Sequence, residues 1–162
     1  MTGVGDLQRA DRLMSTLAIS ALLLLHFLLR PRLMDFSFAP DLLVGGLLLA
    51  ALRLRAGHAA ALGFTLGVLD AAMALENLGI YGLVLLTIAF IAARSRDLLF
   101  ADARFFVAIY LFLGTWLTDA TLAFVGTGDP GIPAAIGSAL LTAASTTAVC
   151  VVVDSLTASA LR

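Results

Sequence analysis

Of 162 residues, 61% are hydrophobic and only 13% charged, with a formal net charge of −1; the charged share is about half that of a soluble domain. A chain this short cannot hide that much apolar surface in one core, which excludes a water-soluble fold and indicates an integral membrane protein. The cations are ten arginines and no lysine, with no basic stripe interleaved with aromatics, so nothing points to nucleic acid. The single cysteine, Cys150, excludes a disulfide within the chain.

In chain order, a polar stretch from Met1 to Arg12 leads into the apolar run Leu13–Leu29, which Arg30-Pro31-Arg32 stops. No small-x-small cleavage site follows, so the run is expected to be a retained first helix over about 13–29. The second helix is short if Pro40-Asp41 opens it and Arg53 ends it, about a dozen residues or roughly 18 Å. Two readings stand: a start further back through Phe36-Ser37-Phe38, giving about 36–52, or a short helix shielded by its neighbours. Further helices are expected over about 58–75, 79–93, 104–125 and 133–154. Turns are marked by Arg53-Leu54-Arg55-Ala56-Gly57, Glu76-Asn77-Leu78-Gly79 and Gly126-Thr127-Gly128-Asp129-Pro130-Gly131. The expected fold class is all-α: one polytopic transmembrane domain over 1–162 with about six spanning helices and no room for a soluble domain.

Six helices place both termini on one side. With the N-terminus inside, the inner segments hold Arg9, Arg12, Arg53, Arg55, Arg94, Arg96, Arg104 and Arg162, against Arg30 and Arg32 outside; this asymmetry predicts cytoplasmic termini. Arg53, Arg55, Arg94, Arg96 and Arg104 are thus topology determinants, with attraction to anionic lipid as a secondary role.

The octet Gly63-Phe64-Thr65-Leu66-Gly67-Val68-Leu69-Asp70 sets a carboxylate and two glycines within about 60° of one another on the third helix. A small-residue face permits close helix packing; Gly63 and Gly67 are expected to pack within the chain, as are Gly45, Gly46 and Gly79. An aspartate in a bilayer costs roughly 2.5–3.5 kcal/mol on insertion scales, so Asp70 must face protein or water and is a candidate working site. Asp70 and Asp119 lie at similar depth, about 9–10 Å below the outer ends of their helices. His26, Thr115 and Ser138 belong to the same half of the membrane, so these five are the candidate partner- or ligand-binding residues, forming a pocket or a polar junction. Thr115 lies about 40° from Asp119 around the helix and offers it a hydroxyl, whereas Thr118 and Thr121 face elsewhere and are expected to bond their own helix's carbonyls or a different neighbour. His26 and His58 each stand alone, and no metal-ligand spacing occurs. No phosphate loop or Ser/His/Asp arrangement is present. Asp70 and Asp119 could form a dyad across helices, but nothing else supports hydrolysis; the expectation is a protein that is not an enzyme and needs no cofactor.

Pro40-Asp41-Leu42-Leu43, then the octet ending in Asp70, then Leu78-Gly79 opening the next helix, together with Asp119 near the end of helix five, resemble the rod shape-determining protein MreD family. The resemblance covers roughly 38–125. It implies a subunit of the bacterial cell-elongation machinery in the inner membrane, accompanying the single-pass protein MreC and tied to MreB, RodZ, RodA and a class B penicillin-binding protein in peptidoglycan synthesis. It also implies a bundle similar to the S components of energy-coupling-factor vitamin transporters. Two functions follow as expectations: a non-enzymatic scaffold that binds MreC, or a membrane-embedded binder of a small molecule or lipid.

Overall fold

The computed structural model describes residues 3–33, 40–74, 78–95, 104–126 and 132–159. Among them it contains six helices and no strand: α1 (Gly3–Leu33), α2 (Leu42–Ala51), α3 (Ala56–Ala74), α4 (Leu78–Ser95), α5 (Arg104–Gly126) and α6 (Ile132–Ser159). Three contain stretches long and apolar enough to cross a membrane, Ala56–Met73, Val107–Phe124 and Ile136–Leu156, and Leu13–Leu29, Leu42–Ala51 and Gly79–Ser95 are shorter apolar helical segments. The protein is a polytopic membrane protein.

Two helices depart from the expected bounds. α1 runs from Gly3, ten residues before the apolar run, and continues through Arg30-Pro31-Arg32 to Leu33. Hydropathy marks where a helix enters lipid, not where it begins, and Leu, Gln, Arg and Ala sustain it on the polar side. Pro31 stands in the last turn, where its missing N–H removes a single backbone bond. α2 starts at Leu42, not at 36. Asp41 is its N-cap, Oδ1 accepting from Leu43 N at 3.0 Å and Val44 N at 3.1 Å, which satisfies two of the four orphan donors of a helix start. Residues 36–39 lie outside the described residues.

α2 is therefore ten residues, about 15 Å, half the thickness of a hydrocarbon core. Every one of its residues is buried, as a helix apolar all round requires. It packs against α1, α3, α4, α5 and α6. It runs parallel to α6: the Asp41 backbone N–H donates to Thr146 Oγ1 at 2.8 Å, and a dozen residues on, Arg53 pairs with Asp154 at 3.8 Å. From Ile132, α6 descends about 21 Å before Thr146 meets the start of α2. The start of α2 is deep inside the bundle.

α3 and α4 form the closest pair of helices. A Cβ on Gly63 would lie 2.5 Å from the Leu85 carbonyl oxygen, and one on Gly67 would lie 2.8 Å from Gly82 Cα. Gly46 meets Leu23 of α1, and Gly45 meets Cys150 and Thr146 of α6. Gly79 corrects the expectation of a packing glycine. It opens onto empty space, and a Cβ there would meet nothing within 4 Å, because Gly79 stands in the first turn of α4 before the helices converge. Two further close approaches had no motif to announce them: Gly82 against Phe64 and Val68, and Gly114 against Leu48.

On lipid-facing surfaces, hydroxyls turn back to their own helix. Thr65 Oγ1 donates to the carbonyls of Ala61 and Leu62, and Thr87 Oγ1 to that of Leu83, so no bare polar group meets hydrocarbon there. Between α4 and α5 the bundle carries a groove of about 220 Å³, lined almost wholly by apolar atoms, with Leu48 of α2 at its base.

Candidate functional site

The deep start of α2 is where the polar residues meet. His26 comes from α1, Asp41 from the cap of α2, Asp70 from α3 and Thr146 from α6. The His26 Nε2–H donates to Asp70 Oδ1 at 3.2 Å, and His26 Nδ1 lies 3.8 Å from Asp41 Oδ1. One imidazole thus stands between two carboxylates contributed by different helices. Asp70 is 3% exposed and Thr146 fully buried. The imidazole edge also meets the adjoining Phe27 ring at 90°.

Each partner is placed by local sequence. Asp41 is held because its Oδ1 is committed to the α2 backbone, whose N-terminal dipole favours a negative group there. Gly45, one turn into α2, brings α6 close enough for Thr146 to accept the Asp41 N–H; any Cβ at Gly45 would collide with Cys150 Sγ at 2.5 Å. Asp70 follows Gly67 by three residues, so the face that packs against α4 turns at its edge toward α1. His26 has ~10 Å of α1 beyond it before Leu33.

The five residues expected to gather do so only in part. His26 and Asp70 are in contact. Asp119 is partly exposed on α5. Thr115 is fully buried and its hydroxyl has no hydrogen-bond partner, so the expected bond to Asp119 is absent: Thr115 is enclosed by neighbours while Asp119, a turn on, keeps part of its surface open. Thr118 and Thr121 donate to the carbonyls of Gly114 and Leu117 at 2.8 and 2.7 Å. Ser138 is exposed, its carbonyl accepting from Thr142 Oγ1. It lies eight residues, about 12 Å, up α6 from Thr146 and hence above the junction.

Asp41 and Thr146 belong to the junction and were absent from the candidate set. Pro40-Asp41 carries a helix-start signal, but its depth depends on where α2 begins. Thr146 sits among Ser145 and Thr147 with nothing to distinguish it. His26, which stood alone in the sequence, has two acidic neighbours, one of them 44 positions away. Among the topology arginines, Arg53, Arg55 and Arg94 are exposed, Arg104 is the first residue of α5, and Arg96 lies outside the described residues. His58 is exposed beside the α2–α3 turn.

Chemically the junction joins helices. Asp41 Oδ1 is bonded to the α2 backbone, the Asp41 N–H to Thr146 and His26 Nε2 to Asp70, while the buried His26 Nδ1, 3.8 Å from Asp41 Oδ1, makes no hydrogen bond. Neither of the two main cavities is lined by His26, Asp41 or Asp70. Among the described residues no group of three His, Cys, Asp or Glu is arranged to hold a metal ion.

A family model for the rod shape-determining protein MreD matches residues 9–126. The chain belongs to the MreD family. The match takes in α1 from residue 9 to the end of α5, so His26, Asp41, Asp70 and Asp119 all lie inside the MreD region, while Thr146 and Cys150 on α6 lie beyond it. MreD proteins are membrane-associated and serve in determining rod shape, and this assigns the chain to cell shape. No curated protein matches it, and no solved structure does; the likeness to S components stands on the resemblance alone.

Proposed function

We propose that this MreD-family chain is a non-enzymatic scaffold subunit of the bacterial cell-elongation complex, lying in the inner membrane with both termini cytoplasmic and binding MreC. The observation that carries the proposal is the use to which the polar groups between the helices are put. His26, Asp41, Asp70 and Thr146 tie α1, α2, α3 and α6 together, so most of their hydrogen bonding serves architecture. What the molecule offers a partner is then its apolar helix faces, with Leu17, Leu24 and Leu28 of α1 and Phe124 of α5 among the most exposed side chains. A single-pass helix such as that of MreC suits such a surface, and RodA, the class B penicillin-binding protein, RodZ and MreB join the assembly through or beside it.

The test is co-purification in mild detergent of the tagged full-length chain with MreC. Recovery of MreC is expected, and Asp70→Asn is expected to reduce folded protein and recovered MreC in parallel. Failure to recover MreC with a chain shown to be folded would overturn the scaffold reading. An Asp70→Asn variant that keeps its fold and its MreC yet no longer supports rod shape would point instead to chemistry at Asp70.

A further inference from the structure

We infer that the groove between α4 and α5 is a binding site for one acyl chain of an anionic glycerophospholipid, whose phosphate is met by Arg94. The inference is independent of MreC binding and uses a different face of the molecule from the polar junction.

Size selects the occupant. Along α4 the groove runs from Ile88 to Ser95 and along α5 from Ile109 to Leu117, that is, about 10–12 Å in each case. A volume of about 220 Å³ spread over that length gives a mean cross-section of roughly 20 Å², the girth of one hydrocarbon chain and about a quarter of that of an α-helix about 10 Å across. A partner's helix therefore cannot enter the groove, while an acyl chain fills it along its length. Water is no substitute, because a water molecule needs two to four polar partners and the lining is almost entirely apolar.

The shape has a specific origin. Gly114 on α5 lets Leu48 of α2 reach the floor, since a Cβ there would lie 2.6 Å from Leu48 Cδ1. The rims stay open to lipid: Ile91 is 51% exposed and Leu113 53%.

Charge selects the headgroup. Arg94 is exposed in the last turn of α4, three residues beyond Ile91 and so on the same face as that rim. It stands beside Ser95, where the groove ends. Arg104 opens α5 at this same end of the bundle. A chain lying in the groove thus brings its phosphate to a guanidinium in the leaflet where α4 ends.

The experiment is native mass spectrometry of the full-length protein from micelles doped equally with phosphatidylglycerol and phosphatidylcholine of identical chains. The expected result is roughly fivefold greater retention of phosphatidylglycerol, the worth of about one basic residue at an anionic surface. Arg94→Gln should equalise the two lipids while keeping total lipid bound. Leu113→Trp, which fills the groove from its open rim, should lower retention of both, whereas Leu141→Trp on the exposed face of α6 should not; circular dichroism and size-exclusion chromatography confirm that each variant is folded. Equal retention of the two lipids by the unaltered protein, or unchanged retention in Leu113→Trp, would overturn the inference. So would a photo-crosslinker at position 113 that captures polypeptide in native membranes instead of lipid.

Discussion

At His26 one ring holds two carboxylates apart. Replacing it by leucine leaves the buried Asp70 carboxylate, and the partly exposed Asp41 beside it, without the imidazole; stripping a buried polar group of its hydrogen-bond partner costs about 1–3 kcal/mol. The pair removed together, His26→Leu with Asp70→Leu, should be less destabilised than His26→Leu alone, because replacing both partners of a buried hydrogen bond by apolar groups costs little. Unfolding titrations in mixed micelles measure both; a double variant weaker than the single one would show that the His26–Asp70 contact is not what holds α1 to α3. Asp70 was conspicuous in the sequence because a carboxylate in an apolar run has to be answered by something. What answers it was not legible, since a histidine 44 positions away becomes a neighbour only through the packing of α1 on α2. Asp41 was visible as a helix opener yet not as a site, for the physical reason that a cap announces a start without announcing its depth.

Glycines show which helix contacts a sequence can and cannot declare. Gly63-x-x-x-Gly67 is readable as a smooth face, and both residues lie against the α4 backbone. Gly79 reads the same way but faces open space, and Gly82 and Gly114, which do sit in tight contacts, belong to no recognisable motif. Spacing identifies a face; only the partner decides whether it is used. Gly63→Ala is accordingly expected to force α3 and α4 apart and to cost about 1–3 kcal/mol, as overpacking does. Gly79→Ala and Gly137→Ala, with nothing within 4 Å, should be neutral or gain up to about 1 kcal/mol of helix propensity. Thermal unfolding of the three variants in one detergent distinguishes them, and a Gly63→Ala variant as stable as Gly137→Ala would contradict the close α3–α4 approach. The six-helix outline was legible because lipid demands long apolar segments; the true length of α2 was not, because a helix sheltered by five others is released from that demand.

For the molecule as a whole, the brevity of α2 sets the order in which the protein can be built. A segment of ten residues is too short to be recognised as a spanning helix when it emerges, so it has no membrane orientation of its own. It becomes a defined element only when later helices have arrived to enclose it, α4 and α5 along its sides and α6 through Thr146 and Asp154. A topology reporter fused after Arg55 should therefore report a mixture of orientations, and the same reporter fused after Arg162 a single one; a single orientation already present at Arg55 would show that α2 inserts unaided. Biogenesis of this chain then runs against the order of its sequence: the second helix made is among the last to be placed, and the core of the bundle is completed from its C-terminal half.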